Sequence, residues 1–132
     1  YTELQDKRVH RVLNSYDVFG GPHTFNVVWG TSKLYEGEPK IVQAFLSALR
    51  IAIKDINDDP AAAAALWVKA DKSKLTPAEA EKIIRDKDNT WTMTPQKVMV
   101  FADYMSRVGM VPAKAASWKD IFFDAIHDLP GS

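Results

Sequence analysis

Apolar residues crowd into one stretch early in the chain and then settle into a helical rhythm. The run Phe25-Asn26-Val27-Val28-Trp29-Gly30-Thr31 is almost continuously apolar and dense in β-branched and aromatic residues. That is the pattern of a strand covered on both faces, and it predicts a strand from Phe25 to Tyr35. Val9, Val12 and Leu13 predict a shorter strand before it. Between the two, Ser15 to His23 reads as a loop, because Gly20-Gly21-Pro22 breaks regular structure.

From Pro39 the period changes. Pro39 suits a first helical position, where its missing N–H costs nothing. Val42, Phe45, Leu46, Leu49, Ala52, Ile53 and Ile56 then share one face of a helix expected to run to Asn57. Ile51 projects away from that stripe. It reads either as a tolerated exposed apolar residue or as part of a second buried surface, against another lobe or another copy of the chain. Asp59-Pro60 caps and opens a second, alanine-rich helix ending in Leu66, Trp67 and Val68. Thr76-Pro77-Ala78-Glu79 spells a capping box for a third, closing near Arg85. Thr94-Pro95 is expected to open a fourth in the same way, with Val98, Phe101, Ala102, Met105 and Val108 on one face and Gly109 as terminator. Ser117-Trp118-Lys119-Asp120 predicts a last short helix.

These elements make the expected fold class α/β, two strands followed by four or five helices. Two adjacent strands form only a marginal sheet unless more strands or helices cover them. Either the helices wrap the pair tightly or further strands lie in sequence absent from this chain.

Composition narrows the function classes. The 132 residues carry 17 basic and 17 acidic side chains. A formally neutral chain lacks the basic surplus that drives nucleic-acid binding, so no nucleic acid is expected as a partner. There is no cysteine, which excludes disulfides, thiolate catalysis and cysteine-ligated zinc within these residues. His10, His23 and His127 lie far apart without metal-ligand spacing. Asp55, Asp58 and Asp59 sit at a helix boundary, where capping and solvation explain them better than acid–base work. The lysines and arginines from Lys69 to Lys87 alternate with acids, as on a solvated face. No cofactor, metal or catalytic group is expected, and no signal peptide is visible.

Several of these motifs, taken in order, resemble one family. Val27-Val28-Trp29-Gly30-Thr31-Ser32-Lys33-Leu34-Tyr35 followed by Pro39-Lys40-Ile41-Val42-Gln43-Ala44-Phe45 is similar to the return crossover of bacterial solute-binding proteins. Asn57-Asp58-Asp59-Pro60-Ala61-Ala62 resembles the segment that follows it. Trp91-Thr92-Met93-Thr94-Pro95, Phe101-Ala102-Asp103-Tyr104-Met105, Val108-Gly109 and Ser117-Trp118-Lys119-Asp120-Ile121-Phe122 resemble the closing portion of the nitrate/sulfonate/taurine branch serving ABC importers. That branch is related to a pyrimidine-precursor synthesis group.

The resemblance covers nearly the whole chain. It implies a C-terminal part of a periplasmic binding protein type II fold: residues 1–24 as the end of the second lobe and a cleft loop, 25–36 as a hinge-crossing strand, and 37–132 as a helical return to the first lobe. It also implies a periplasmic or lipid-anchored extracellular location. The implied partners are a small-molecule solute, the permease of an ABC transporter and the missing N-terminal part of the same protein. On the same resemblance the loop before the crossover faces the ligand cleft. Its polar residues Ser15, Asp17, His23, Thr24 and Asn26 become the candidate ligand-binding set, with Gly20 and Gly21 admitting close backbone approach. Hydroxyl, amide and N–H donors suit an anionic head group such as a sulfonate. The bland alternative is an ordinary polar turn in which Asn14 and Asp17 bond their own backbone.

Three functions follow from this reading. The leading one is a non-enzymatic component that binds a small anionic or polar solute, such as a sulfonate, nitrate or taurine, between two lobes and delivers it to an ABC importer. The second is a pyrimidine-synthesis enzyme of the related group. The third is a free-standing helical interaction module, self-associating through exposed apolar surface such as that bearing Ile51.

Overall fold

The computed structural model describes all residues, Tyr1–Ser132, and contains no β-strand. Six α-helices carry the chain: α1 (Ser15–Phe19), α2 (Ser32–Gly37), α3 (Pro39–Asp58), α4 (Pro60–Ala70), α5 (Pro77–Ile84) and α6 (Val98–Arg107). Short 3-10 turns lie at Glu3–Gln5, Trp118–Asp120 and Asp124–Ile126. The chain divides into two units, one of Tyr1–Val27 with Thr92–Ser132, the other of Val28–Trp91.

The expected α/β class is therefore corrected: all the regular structure is helical, with no sheet and so no type II binding-protein sheet. The physical reason is pairing. A strand exists only as one side of a hydrogen-bonded ladder, and neither apolar run finds a second strand in this chain. Val12 and Leu13 are irregular and exposed. Phe25 to Gly30 is irregular too, and no backbone hydrogen bond is made by any of its residues. Its side chains are bare, with Trp29 84% and Phe25 82% exposed, so this is not an interior β-element. The expected strand also ends early, because Thr31 turns the chain into α2 by accepting the Leu34 N–H at 3.1 Å on its hydroxyl.

In the unit Val28–Trp91 local signals set the helix boundaries. Pro39 opens α3 and Pro60 opens α4, whose first-turn N–H at Ala62 is capped by the Asp59 carboxylate at 3.0 Å. The Thr76–Glu79 capping box forms, with the Thr76 N–H donating to Glu79 Oε2 at 2.8 Å and the Glu79 N–H to Thr76 Oγ1 at 3.3 Å. The core is small. Ala64 of α4 and Ala80 of α5 are fully buried, with Ile84 beside them and Ile56, Ala63, Trp67 and Val68 packed around. Two alanines at the crossing let α4 and α5 approach closely. The α3 stripe Val42, Leu46, Leu49, Ile53 and Ile56 is only half-buried, while Phe45 and Ala52 of the same expected face are exposed. The last carbonyls of α5 are satisfied by side chains: Asn89 Nδ2 donates to the Ile83 carbonyl at 2.6 Å and Trp91 Nε1 to that of Ile84 at 3.1 Å.

In the other unit, Trp118 is the main buried side chain, flanked by the rings of Phe122 and His127 at 6.1 and 5.5 Å. Gly131 lies flat against its indole; a Cβ there would come within 2.6–2.8 Å of three ring atoms. That seating places Ser132 at the start of α6. The Ser132 N–H donates to the Pro95 carbonyl at 3.0 Å, its carbonyl accepts the Val98 N–H at 2.8 Å, and its hydroxyl accepts the Lys97 N–H at 3.1 Å. Two of the helix's orphan N–H groups are thereby capped by a distant residue. Helix α6 accordingly starts at Val98 rather than at the expected Thr94-Pro95. Gly109 ends it in the left-handed region at φ +74°, as its position predicts.

The exposed surface is large for the mass. The chain presents 10006 Å² to solvent. Even two compact bodies of half its mass, sharing no contact, would expose only about 8,400 Å² between them.

Candidate functional site

The candidate ligand-binding residues lie on α1 and the turn after it. Asn14 caps α1 by accepting the Tyr16 N–H at 3.0 Å, so part of the expected loop is a five-residue helix, and Asn14 bonds its own backbone as the bland reading expects. Gly20 at φ +71° and Gly21 at φ +125° turn the chain back through conformations that a side chain would strain. The turn delivers His23 and Thr24 to the first turn of α6.

Thr24 is bound there on two sides. Its N–H donates to the Gln96 carbonyl at 2.8 Å, and its hydroxyl accepts the Gln96 N–H at 2.8 Å. His23 is half-buried among rings, with Phe19 at 4.7 Å, Tyr16 at 5.3 Å and Phe101 of α6 at 5.8 Å between centroids. Phe19 and Phe101 pack on each other at 4.9 Å. Ser15, Asp17 and Asn26 are exposed. The structure thus joins His23 and Thr24 to one cluster and leaves the other three on the surface.

Lys97 is the member that the sequence did not single out. Its ammonium donates to the carbonyls of Phe19 and Gly20, both at 2.6 Å. It closes the last turn of α1 with a positive charge where that helix's carbonyls gather. Its own backbone is left-handed at φ 52°, uncommon for a side chain of this size. The one hint in the sequence is Gly20-Gly21, read as permitting close backbone approach; the group that approaches is Lys97 Nζ, 3.4 Å from where a Gly20 Cβ would stand.

A second concavity lies in the unit Val28–Trp91. It is an open depression of about 480 Å³ between the end of α3 and the end of α5, lined by Ile56, Pro60, Ile84, Arg85, Lys87 and Trp91 among others. Its amides are already engaged, Asn57 Nδ2 with the Trp91 carbonyl at 3.1 Å and Asn89 with Ile83. Arg85 is paired with Glu81 at 2.7 Å. No group of three or more His, Asp or Glu side chains comes together as metal ligands would. No helix is long and apolar enough to cross a membrane.

Shifted titrations mark local contacts rather than a reactive centre. Backbone and side-chain hydrogen bonds from Thr76 hold the Glu79 carboxyl below its usual range. Arg8 does the same for Asp6, while Asp58 raises Lys54.

Comparison of the chain with protein-family models, with characterised proteins and with solved structures finds no match in any of the three.

Proposed function

We propose that this chain is a portion of a solute-binding component of an ABC importer, taking a small anionic or polar solute such as a sulfonate, nitrate or taurine. One observation carries the reading: Phe25 to Gly30 is apolar, exposed and without a backbone hydrogen bond. Leaving a run of large apolar side chains in water forgoes about 1.5–3 kcal/mol for each. Cover from other polypeptide would recover that energy, which makes this segment a place for another part of a larger protein to pack. The ordered resemblance of the flanking motifs supplies the identity of the whole to which it belongs. The turn bearing His23 and Thr24, held against α6, is where its polar side chains would meet the solute.

The test is isothermal titration calorimetry with taurine, nitrate and short alkanesulfonates on the longest natural polypeptide containing these residues. Saturable one-to-one binding, weakened at least tenfold by His23→Ala, supports the reading. Absence of binding to every one of these solutes refutes it.

A second reading is favoured by a different observation. The regular structure is all helical, and α3 exposes apolar side chains away from its half-buried stripe, with Ile51 61% and Ile41 57% accessible. A helical module whose work is association would have this surface.

A further inference from the structure

On a helical wheel the apolar residues of α3 occupy an arc of about 220°, against about 100° of polar positions. A helix that is apolar round so much of its circumference is built to be covered on two sides. One side is half-buried already, by the stripe from Val42 to Ile56. The other is the exposed arc Ile41, Ala44, Phe45, Ala48, Ile51 and Ala52. Ile41 is 57%, Phe45 47% and Ile51 61% accessible. One charge interrupts it, Asp55 near its C-terminal end, and Lys40 flanks it at the N-terminal end.

We propose that this arc is the interface for a second copy of the chain, with the two α3 helices packed antiparallel about a two-fold axis at Ala48. Three properties select that occupant. The charges are self-complementary only in the antiparallel sense: Lys40 at one end then meets the partner's Asp55, twice over by symmetry, as an isologous contact requires. The shape is self-complementary too, because Phe45 lies beside the partner's Ala52 and Ile51 beside the partner's Ala44, large against small on both flanks. Small residues at the centre let two helix backbones approach closely. Finally, the arc is small, so the pair would sit at or below the lower limit of stable interfaces, about 1,200 Å² in total, and be a weak dimer. With 17 positive and 17 negative side chains the copies carry no net repulsion. The proposal rests on the second reading above and is independent of solute capture.

Sedimentation equilibrium from 1 μM to 1 mM tests it on the chain as it stands, in concentrations chosen to bracket a weak dimer of about 10⁻⁵ M. The expected mass is twice 14.8 kDa at the upper end. Ile51→Lys should raise the dimer Kd by at least about 100-fold, since it buries an unpaired charge. Lys40→Asp and Asp55→Lys should each weaken it about tenfold, and the double reversal should restore it, as a paired contact requires. Leu66→Ser, at an exposed position of α4 outside the arc, should leave it unchanged. Circular dichroism of each variant must match the parent, and Ile51→Ala serves where Ile51→Lys fails to fold. A monomer throughout, an unaffected Ile51 variant or a double reversal without rescue overturns the proposal. A monomer that still binds sulfonates separates this failure from that of the solute reading.

Discussion

Adding a single methyl group at Gly131 tests how the tail is seated. In Gly131→Ala the new Cβ would stand 2.6 Å from one atom of the Trp118 indole and 2.8 Å from two more. Real contacts of this kind begin near 3.5 Å, so either the ring or the tail must move by most of an ångström. Trp118 is only 7% exposed and flanked by Phe122 and His127, so it has little room. The tail yields instead. Overpacking of this order costs about 1–3 kcal/mol. Its withdrawal would break the three Ser132 hydrogen bonds to Pro95, Lys97 and Val98.

Amide hydrogen exchange reads this directly. The Lys97 and Val98 N–H groups are protected by Ser132 alone, so their protection should fall about 10–100-fold in Gly131→Ala, tenfold for each 1.4 kcal/mol lost. Amides inside α5, in the other unit, should not change. Gly37→Ala is the control, because nothing lies within 4 Å of that site. Helix propensity there should make it neutral or stabilising by up to about 1 kcal/mol. Unchanged protection at Lys97 and Val98 in Gly131→Ala would refute the argument that the tail caps α6.

Three further outcomes follow from the packing and capping. Ala80→Leu places a large side chain at the fully buried α4–α5 crossing; it should destabilise that unit by about 1–3 kcal/mol or more in urea unfolding, and a stability unchanged would mean the helices are not in close contact. Thr76→Ala removes the α5 cap and should cost about 1 kcal/mol. The same box gives a pH signature. The Thr76 backbone N–H, and after it the hydroxyl, lower the Glu79 carboxyl below 4.5, so its contribution is present above that value and is lost as pH falls through the lower folded-state value; carbon-detected titration of Glu79 should keep the larger, backbone part of the shift in Thr76→Ala and lose only the hydroxyl's part. Lys97→Met removes both ammonium contacts to Phe19 and Gly20, each worth about 1.5–3 kcal/mol at most as a charge-assisted bond; exchange protection in α1 should collapse while that of α5 stays.

What the sequence revealed was what neighbouring residues decide among themselves. Asp59-Pro60, the Thr76–Glu79 box and Gly109 were legible because a cap lies within four residues of what it caps. The long period of α3 was legible for the same reason, to within one residue at its end. Phe25 to Tyr35 misled because β-pattern describes surroundings rather than the segment itself, and this chain supplies no pairing strand. The helix start at Thr94-Pro95 failed for a related reason: Thr24 and Ser132, 72 and 35 residues away from their Gln96 and Lys97 partners, claim the backbone there. Of the candidate site, the glycine pair and Asn14 were readable. Lys97 was not, since nothing near it in sequence announces a left-handed lysine reaching back 77 and 78 residues.

The bare run from Phe25 to Gly30 also has a consequence for handling the polypeptide. Four of its six residues, Phe25, Val27, Val28 and Trp29, have high β-propensity and none is charged or proline, a composition that favours stacking when copies meet. A chain that leaves such a run bare is prone to precipitate as its concentration rises. Its yield should therefore depend on concentration more steeply than its charge balance alone would suggest, and replacing Val28 with lysine should extend its soluble lifetime.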